Sequence, residues 1–320
     1  MIVREFTWFT LIFTLRGSVL RKIGLRLAVD VAVAVGVTLL FYYKILTVSI
    51  TPLPFTLIGL ALGIFLGFRN NTSYDRFWEG RKLWGALVNT TRSFARQMQT
   101  LLGPQPGRES PAESESHDKL AEARREMTYR CIAYVHAFRM HLRDQWQPEE
   151  LAELLPAEEL EALASEHNRP IAMLLRMGER TRALWAAGWV NAYHMGQIEQ
   201  TLGKLTDIQG ACERIKSTPI PFSYTVLIHR LVGFYCFALP FGIVDTVRLM
   251  TPVVVALISF AFFGLDAIGD EIEQPFGVED NDLPLSALSR MIEVNLRQTL
   301  REPHESLPPL LTPDEHGYLS

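Results

Sequence analysis

Seven carboxylates between residues 266 and 282 form the densest group of chemically active side chains in this 320-residue sequence. No lysine or arginine lies among them, and they are Asp266, Asp270, Glu271, Glu273, Glu279, Asp280 and Asp282. Uncompensated carboxylates attract cations, either mobile ions or a bound metal such as Ca²⁺. A solvated loop with a local turn explains the same acids without any ligand.

Motifs of enzymes are missing from the sequence. It holds no glycine-rich phosphate loop, no GxSxG and no HExxH, and its 8 histidines have no clear ligand spacing. Cys131, Cys212 and Cys236 lack CxxC spacing, so we expect small buried side chains in a reducing compartment. A net charge of -4 gives no basic excess for nucleic acid. We therefore expect no enzyme, no cofactor and no nucleic-acid partner.

Two rows of side chains repeat at helical spacing over residues 56–68. One row consists of glycines, which let another helix approach closely: Gly59, Gly63 and Gly67. The other is mostly apolar and runs about a hundred degrees away: Thr56, Leu60, Ile64 and Phe68. Ordinary packing explains both rows. Alternatively, the apolar row faces a symmetry axis, so that several copies form a narrow constriction that gates by dewetting.

Hydrophobic segments near both ends of the chain must position these rows. The apolar fraction of 48% and the mean hydropathy of +0.11 are high for a soluble protein. Residues 27–43 hold one charge, Asp30, and residues 45–68 hold none but are divided by Pro52 and Pro54. Because a bilayer core needs about 20 helical residues, we predict a membrane hairpin that turns near residues 47–53.

A second hairpin is predicted near the other end. Residues 220–244 are apolar apart from His229 and Arg230, residues 250–265 are uncharged, and residues 245–250 form the turn. This gives four membrane helices in two hairpins; buried core helices of a soluble protein are the alternative. Basic residues flank the spans on the side away from the two turns, so the positive-inside rule places both termini in the cytoplasm of a bacterium, below its inner membrane.

The pattern divides the chain into five segments. We predict an interfacial helix at 1–24, hairpins at 25–70 and 219–268, a cytoplasmic helical domain at 71–218 and a cytoplasmic segment at 269–320. Within the middle domain, helical patterns cover 74–102, 119–143 and 171–206, a short acidic piece covers 149–166, and the Pro-, Gly- and Ser-rich stretch 103–118 is a flexible insert.

Four segments resemble the bestrophin family of ion channels, in its bacterial branch. They are Gly67 to Gly85, Cys212 to Arg230, Phe234 to Gly242, and Glu271 to Leu285, which contains the Pro-Phe-Gly motif. The resemblance covers most of the chain and weakens over residues 103–170. It implies an all-α membrane protein: a homopentamer of four-membrane-helix subunits with a cytoplasmic helical bundle and an ion pathway on the five-fold axis.

The resemblance also implies roles for residues. The family's apolar neck falls on Leu60, Ile64 and Phe68, with leucine where isoleucine is expected, and a second, cytoplasmic constriction falls near Tyr193. Eukaryotic bestrophins bind calcium with an acidic run after Pro-Phe-Gly. Here that run is degenerate, with Glu279 and Asp282 at its first and last positions, and a solvated loop is the favoured interpretation.

The leading hypothesis is a passive channel for monovalent ions in the bilayer, with a lean toward cations such as Na⁺ and K⁺. A chloride channel is the alternative. A carrier would need an ionisable group at mid-membrane, which Asp30 or His229 could supply; if Asp30 faces Arg26, it is only a paired charge. A non-conducting scaffold, whose bundle binds a partner, is the third class.

Overall fold

The computed structural model describes residues 17–46, 51–104, 113–314 and 317–319, and no β-strand occurs in these ranges. The all-α prediction is therefore confirmed. Residues 1–16 of the predicted interfacial helix, 47–50 of the first turn and 105–112 of the flexible insert lie outside the described residues. Residues 113–118, the end of that predicted insert, are helical instead. The helices in the described ranges are α1 (Leu20–Tyr42), α2 (Pro52–Leu101), α3 (Glu113–Leu142), α4 (Ala157–Ala164), α5 (Arg169–Ala186), α6 (Ala192–Ser217), α7 (Phe222–Val247), α8 (Thr251–Glu273) and α9 (Leu285–Thr299).

Three stretches of the described chain are long and apolar enough to cross a membrane. They are α1, α2, and the segment from Phe222 to Glu273. The last one folds back at a short 3-10 turn, Arg248–Met250, so α7 and α8 lie antiparallel. Tyr235 of α7 packs edge-on against Phe262 of α8, with 5.1 Å between the ring centroids. The turn falls within the predicted residues 245–250.

These apolar helices are poorly covered by their own chain. At most 39% of any of the three apolar windows is buried. Large exposed side chains occur on each helix, among them Leu25, Leu57, Phe234 and Leu257. A soluble monomer rarely exposes so much contiguous apolar surface, so buried core helices of a soluble protein are the wrong interpretation. Lipid or further copies of the chain must cover this surface.

Helix α2 crosses the predicted domain boundary at residue 70 without a break. Its 50 residues extend about 75 Å at the ordinary helical rise. The sequence suggested a separate helical pattern from residue 74, but no proline interrupts the chain there. The first half packs against α7 and α8, and the second half enters the helical bundle. One rigid element therefore connects the apolar helices to the bundle.

The bundle surrounds the second half of α2 with α3, α5, α6 and α9. Trp84 of α2 is fully buried and stacks on Phe138 of α3, with 5.8 Å between ring centroids. Cys131 and Cys212 are buried in the same core, and burial raises the pKa of both thiols. They are small core side chains, as the sequence indicated.

The predicted helical stretch 171–206 is divided in the structure. Helix α5 ends at Ala186, and Gly188 has a φ of 80°, a left-handed conformation that favours glycine. Helix α6 then begins at Ala192, where the Asn191 Oδ1 accepts a hydrogen bond of 2.7 Å from the His194 N–H. The glycine and the capping asparagine together explain the break.

Candidate functional site

The first part of α2 has two opposite faces. Leu62 and Leu66, at 2% and 0% exposure, pack inside the chain, and Arg69 continues that face. The predicted neck row lies on the other side and points away from the chain: Leu60 is 66% exposed, Ile64 51% and Phe68 62%. The row is therefore available to line a space shared with other copies, and it is apolar along its whole length.

Of the three glycines in the row, only Gly59 packs closely against another helix of the same chain. A Cβ added to Gly59 would lie 2.6 Å from the Tyr235 Oη of α7, so this position needs glycine for close approach. A Cβ added to Gly63 or Gly67 would meet no atom of the described chain within 4 Å. For those two residues, helix packing stays a prediction about contacts with another chain.

A buried cluster of charges follows the neck row directly. Arg69, the residue after Phe68, lies with its Nη1 2.7 Å from the Asp266 Oδ1, and its Nη2 bonds to Asp270. His229 of α7 completes the cluster, with Nδ1 2.6 Å from the Asp266 Oδ2 and Nε2 3.4 Å from the Asp270 Oδ2. The cluster joins α2, α7 and α8 at one level.

Donor atoms of His229, Asp266 and Asp270 lie within 4.8 Å of one another, and no other group of three such side chains converges among the described residues. The Arg69 guanidinium already binds both carboxylates and supplies the positive charge. Sequence reasoning treated Arg69 as a flanking charge and missed the cluster. The sequence did contain two indications of this cluster: Asp266 and Asp270 are one helical turn apart, and an arginine directly follows the apolar segment that ends at Phe68.

Arg76 forms a second anchor, two turns further along α2. Its Nε donates to the backbone oxygen of Glu273 over 3.0 Å, at the end of α8. Its two terminal nitrogens donate to the backbone oxygens of Ile215 and Thr218, at the end of α6. Orphan carbonyls at two helix ends are thereby satisfied by one guanidinium, which holds the junction between the apolar helices and the bundle.

The Pro-Phe-Gly segment packs on α2 at Gly80. A Cβ added to Gly80 would lie 3.0 Å from the Phe276 ring and 3.2 Å from the Pro275 Cγ. Gly277 is equally constrained, since its added Cβ would lie 2.5 Å from the Asp282 Oδ2. Both positions therefore leave little room for a side chain, and the close contact at Gly80 fixes the loop after α8 against the long helix.

The two residues of the predicted degenerate calcium site bind other groups. The Asp282 Oδ2 accepts a hydrogen bond of 2.7 Å from the Glu279 N–H and so holds the loop backbone. Burial and the charges of Glu279 and Glu271 raise the pKa of Asp282 to about 6, although that hydrogen bond opposes the shift. The Glu279 carboxylate lies 3.0 Å from the Lys22 Nζ instead. In the described chain, these two carboxylates do not form a converging metal-ligand group.

The two ionisable residues considered for a carrier are both engaged inside the chain. Asp30 is only 5% exposed, and its carboxylate accepts a hydrogen bond from the Ser259 hydroxyl of α8. Its partner is therefore Ser259 and not Arg26. The interpretation of Asp30 as a paired interfacial charge is wrong, and the residue instead makes a buried polar contact between α1 and α8. His229 belongs to the Arg69 cluster.

Tyr193, the predicted cytoplasmic constriction, is 87% exposed near the start of α6. No described residue covers its ring, so its position leaves it free to face another copy. The neck row and Tyr193 belong to different helices, since the row lies on α2.

Comparison with known proteins gives one family. A sequence profile described as "Bacterial/Fungal Bestrophin protein" matches residues 1–298. A voltage-dependent anion channel-forming protein of Ralstonia nicotianae is 41% identical over 305 residues, 95% of each chain. One from Escherichia coli K12 is 38% identical over 322 residues, which cover both chains fully. A crystal structure of a bacterial bestrophin homologue from Klebsiella pneumoniae, a point variant, matches with a TM-score of 0.80 and 33% identity, over 88% of this chain and 100% of that one.

The predicted lean toward cations loses its basis. It depended on an uncompensated acidic run, yet most of those acids have partners in the described chain. Arg69 binds two of them, Lys22 binds Glu271 and Glu279, and a backbone N–H, that of Ile220, donates to Glu273. The names of the relatives from Ralstonia nicotianae and Escherichia coli favour anions, which was the alternative.

Proposed function

This chain belongs to the bacterial and fungal bestrophin family, and from that premise we propose that it forms a passive channel for monovalent anions such as chloride. The names of its relatives support the anion assignment. Arg69 and Lys22 pair with four of the seven acids, which reduces the attraction for cations on which the alternative depended. A hydrophobic neck itself carries no charge, so it is compatible with the passage of either anions or cations.

The observation that carries the proposal is the outward direction of the apolar row. Leu60, Ile64 and Phe68 point away from their own chain, and one chain alone encloses no space beside them. Copies arranged around a common axis would bring equivalent rows together in a narrow apolar neck. Five copies are proposed, as the family resemblance implies. Gly63 and Gly67, open in one chain, would then pack against the neighbouring copy.

The bundle would continue the pathway on the cytoplasmic side. The continuous helix α2 runs from the neck into the bundle, and Tyr193 would form the second constriction from the start of α6. Basic residues on the bundle side of the apolar helices support a cytoplasmic bundle and cytoplasmic termini in a bacterial inner membrane. The five-segment division of the chain is retained as part of this proposal, with lipid and identical copies as partners.

Single-channel recording from the purified oligomer in planar bilayers tests the neck. Ile64→Ala should widen it and raise the unitary conductance, because a smaller apolar side chain lowers the cost of wetting. Ile58→Ala is the matched control: Ile58 is 49% exposed on the same helix but lies outside the row, so its conductance should stay at the wild-type value.

The same recordings separate the proposal from its alternatives. Unchanged conductance of Ile64→Ala in an intact oligomer would contradict the neck assignment. A wild-type protein that passes no current in bilayers or liposomes would point to a scaffold. Slow flux that saturates with ion concentration and shows no unitary steps would point to a carrier.

A further inference from the structure

A cavity of about 700 Å³ opens at the end of the apolar helices that lies farthest from the bundle. Its walls come from the end of α1 and from the turn between α7 and α8. Most of the lining is apolar or aromatic, and it includes Phe41, Tyr42, Leu249 and Met250. The cavity therefore lies where the predicted membrane segment meets water, at the surface opposite the Arg69 cluster.

Two basic side chains also line this cavity, Lys44 after α1 and Arg248 in the turn. Within the described ranges, neither side chain forms an ion pair or a side-chain hydrogen bond. Asp245, the nearest acid in sequence to Arg248, is exposed and does not neutralise either cation in that part of the chain. The apolar cavity thus carries two uncompensated positive charges.

An apolar cavity that carries two cationic side chains suits an amphiphile with an anionic head. A soluble anion would need polar walls to replace its hydration, whereas these walls are mainly apolar. An amphiphile with an anionic head satisfies both parts, because its acyl chain fills the slot while its phosphate binds the cations. Exposed tyrosines at the same level, Tyr42 and Tyr43, are typical of the headgroup region of a bilayer.

We propose that this cavity binds an anionic phospholipid, with its phosphate between Lys44 and Arg248 and an acyl chain against Phe41, Leu249 and Met250. The lipid would link the end of α1 to the α7–α8 turn, two elements that are far apart in sequence. The proposal goes beyond ion conduction and does not depend on the sign of the ion that the channel passes.

Native mass spectrometry of the whole detergent-solubilised protein tests the headgroup. Titration with phosphatidylglycerol should give tighter binding than titration with phosphatidylcholine. Each basic side chain contributes about fivefold near an anionic lipid, so Lys44→Gln/Arg248→Gln should bind phosphatidylglycerol about 25-fold more weakly. The control Arg182→Gln/Lys204→Gln removes two exposed charges from the bundle and should bind like the wild type. Equal binding by the two double variants, or no preference for phosphatidylglycerol in the wild type, overturns the proposal.

A second variant tests the acyl slot without touching the cations. Met250→Trp should fill the cavity and weaken phosphatidylglycerol binding, while glycerol phosphate should not compete at concentrations where the lipid binds. Competition by glycerol phosphate or inorganic phosphate at the lipid's own affinity would show a phosphate site without a lipid and overturn the proposal. If Lys44→Gln/Arg248→Gln unfolds early in lipid-free detergent, the Met250→Trp variant provides the test of the lipid site. Unchanged binding of phosphatidylglycerol by Met250→Trp would also overturn the proposal.

Discussion

Arg69 and Asp266 form a buried ion pair, with 2.7 Å between Nη1 and Oδ1 and side-chain exposures of 0% and 2%. Arg69 directly follows the last residue of the neck row, and it shares the inward face of α2 with Leu62 and Leu66. The pair therefore fixes the rotation of α2 about its own axis. Because the inward face is fixed, Leu60, Ile64 and Phe68 must point outward.

Arg69→Met should destabilise the protein strongly. Removing one partner of a buried ion pair leaves uncompensated charge and typically costs about 3–5 kcal/mol. Thermal unfolding of the detergent-solubilised protein measures the loss. Arg81→Gln removes an exposed charge from the same helix and should change the unfolding temperature little.

A double variant separates the pair from general damage. Arg69→Met/Asp266→Asn removes both charges, so it should be more stable than Arg69→Met alone. If Arg69→Met unfolds at the wild-type temperature, or if the double variant is simply the sum of the single ones, the ion pair does not hold α2 in place.

Gly80→Ala should loosen the Pro-Phe-Gly segment from α2. The new methyl group would lie 3.0 Å from the Phe276 ring, and overpacking of this kind costs about 1–3 kcal/mol. Gly85→Ala is the matched control on the same helix, since its methyl group would meet only the flexible end of Arg81 at 3.6 Å. Unfolding temperatures should fall for the first variant and stay level or rise for the second. The opposite order would contradict the contact.

Stability below neutral pH should depend on Glu293 of α9. Burial alone would raise the pKa of Glu293, but the His136 hydrogen bond and the charges of Arg290 and Arg297 lower it below its ordinary value of 4.5. A carboxyl whose pKa is lower in the folded state stabilises that state above about pH 4.5, and this contribution is lost as the pH falls through the lower value.

Thermal unfolding between pH 7 and pH 3.5 checks this dependence. Glu293→Gln should unfold at a lower temperature than the wild type at pH 7, and the difference should shrink below pH 4.5. Glu161→Gln, at an exposed position of α4, should follow the wild-type curve. A constant difference between Glu293→Gln and wild type across the range would show that the charge of Glu293 contributes nothing.

Periodicity in the sequence predicted the features that a single helix determines. The four-residue spacing of Leu60, Ile64 and Phe68 places them on one face wherever the helix lies, and the structure leaves that face exposed. The four apolar stretches were also predictable, because length and hydrophobicity are local properties.

Pairings between distant segments were not predictable in the same way. Asp266 lies 197 residues from Arg69 in sequence, so the acidic run looked uncompensated when it was read along the chain. The same reason hid the Ser259 contact of Asp30, 229 residues away. The predicted preference for cations failed for this reason, because the charges counted along a sequence do not show which charges pair in the fold.

The reversal potential of the purified protein in planar bilayers with asymmetric NaCl tests the central claim most directly. For a channel that conducts monovalent anions, the current should reverse near the equilibrium potential of chloride, and replacing Na⁺ with a large organic cation should not move it. Reversal near the sodium equilibrium potential would contradict the anion assignment.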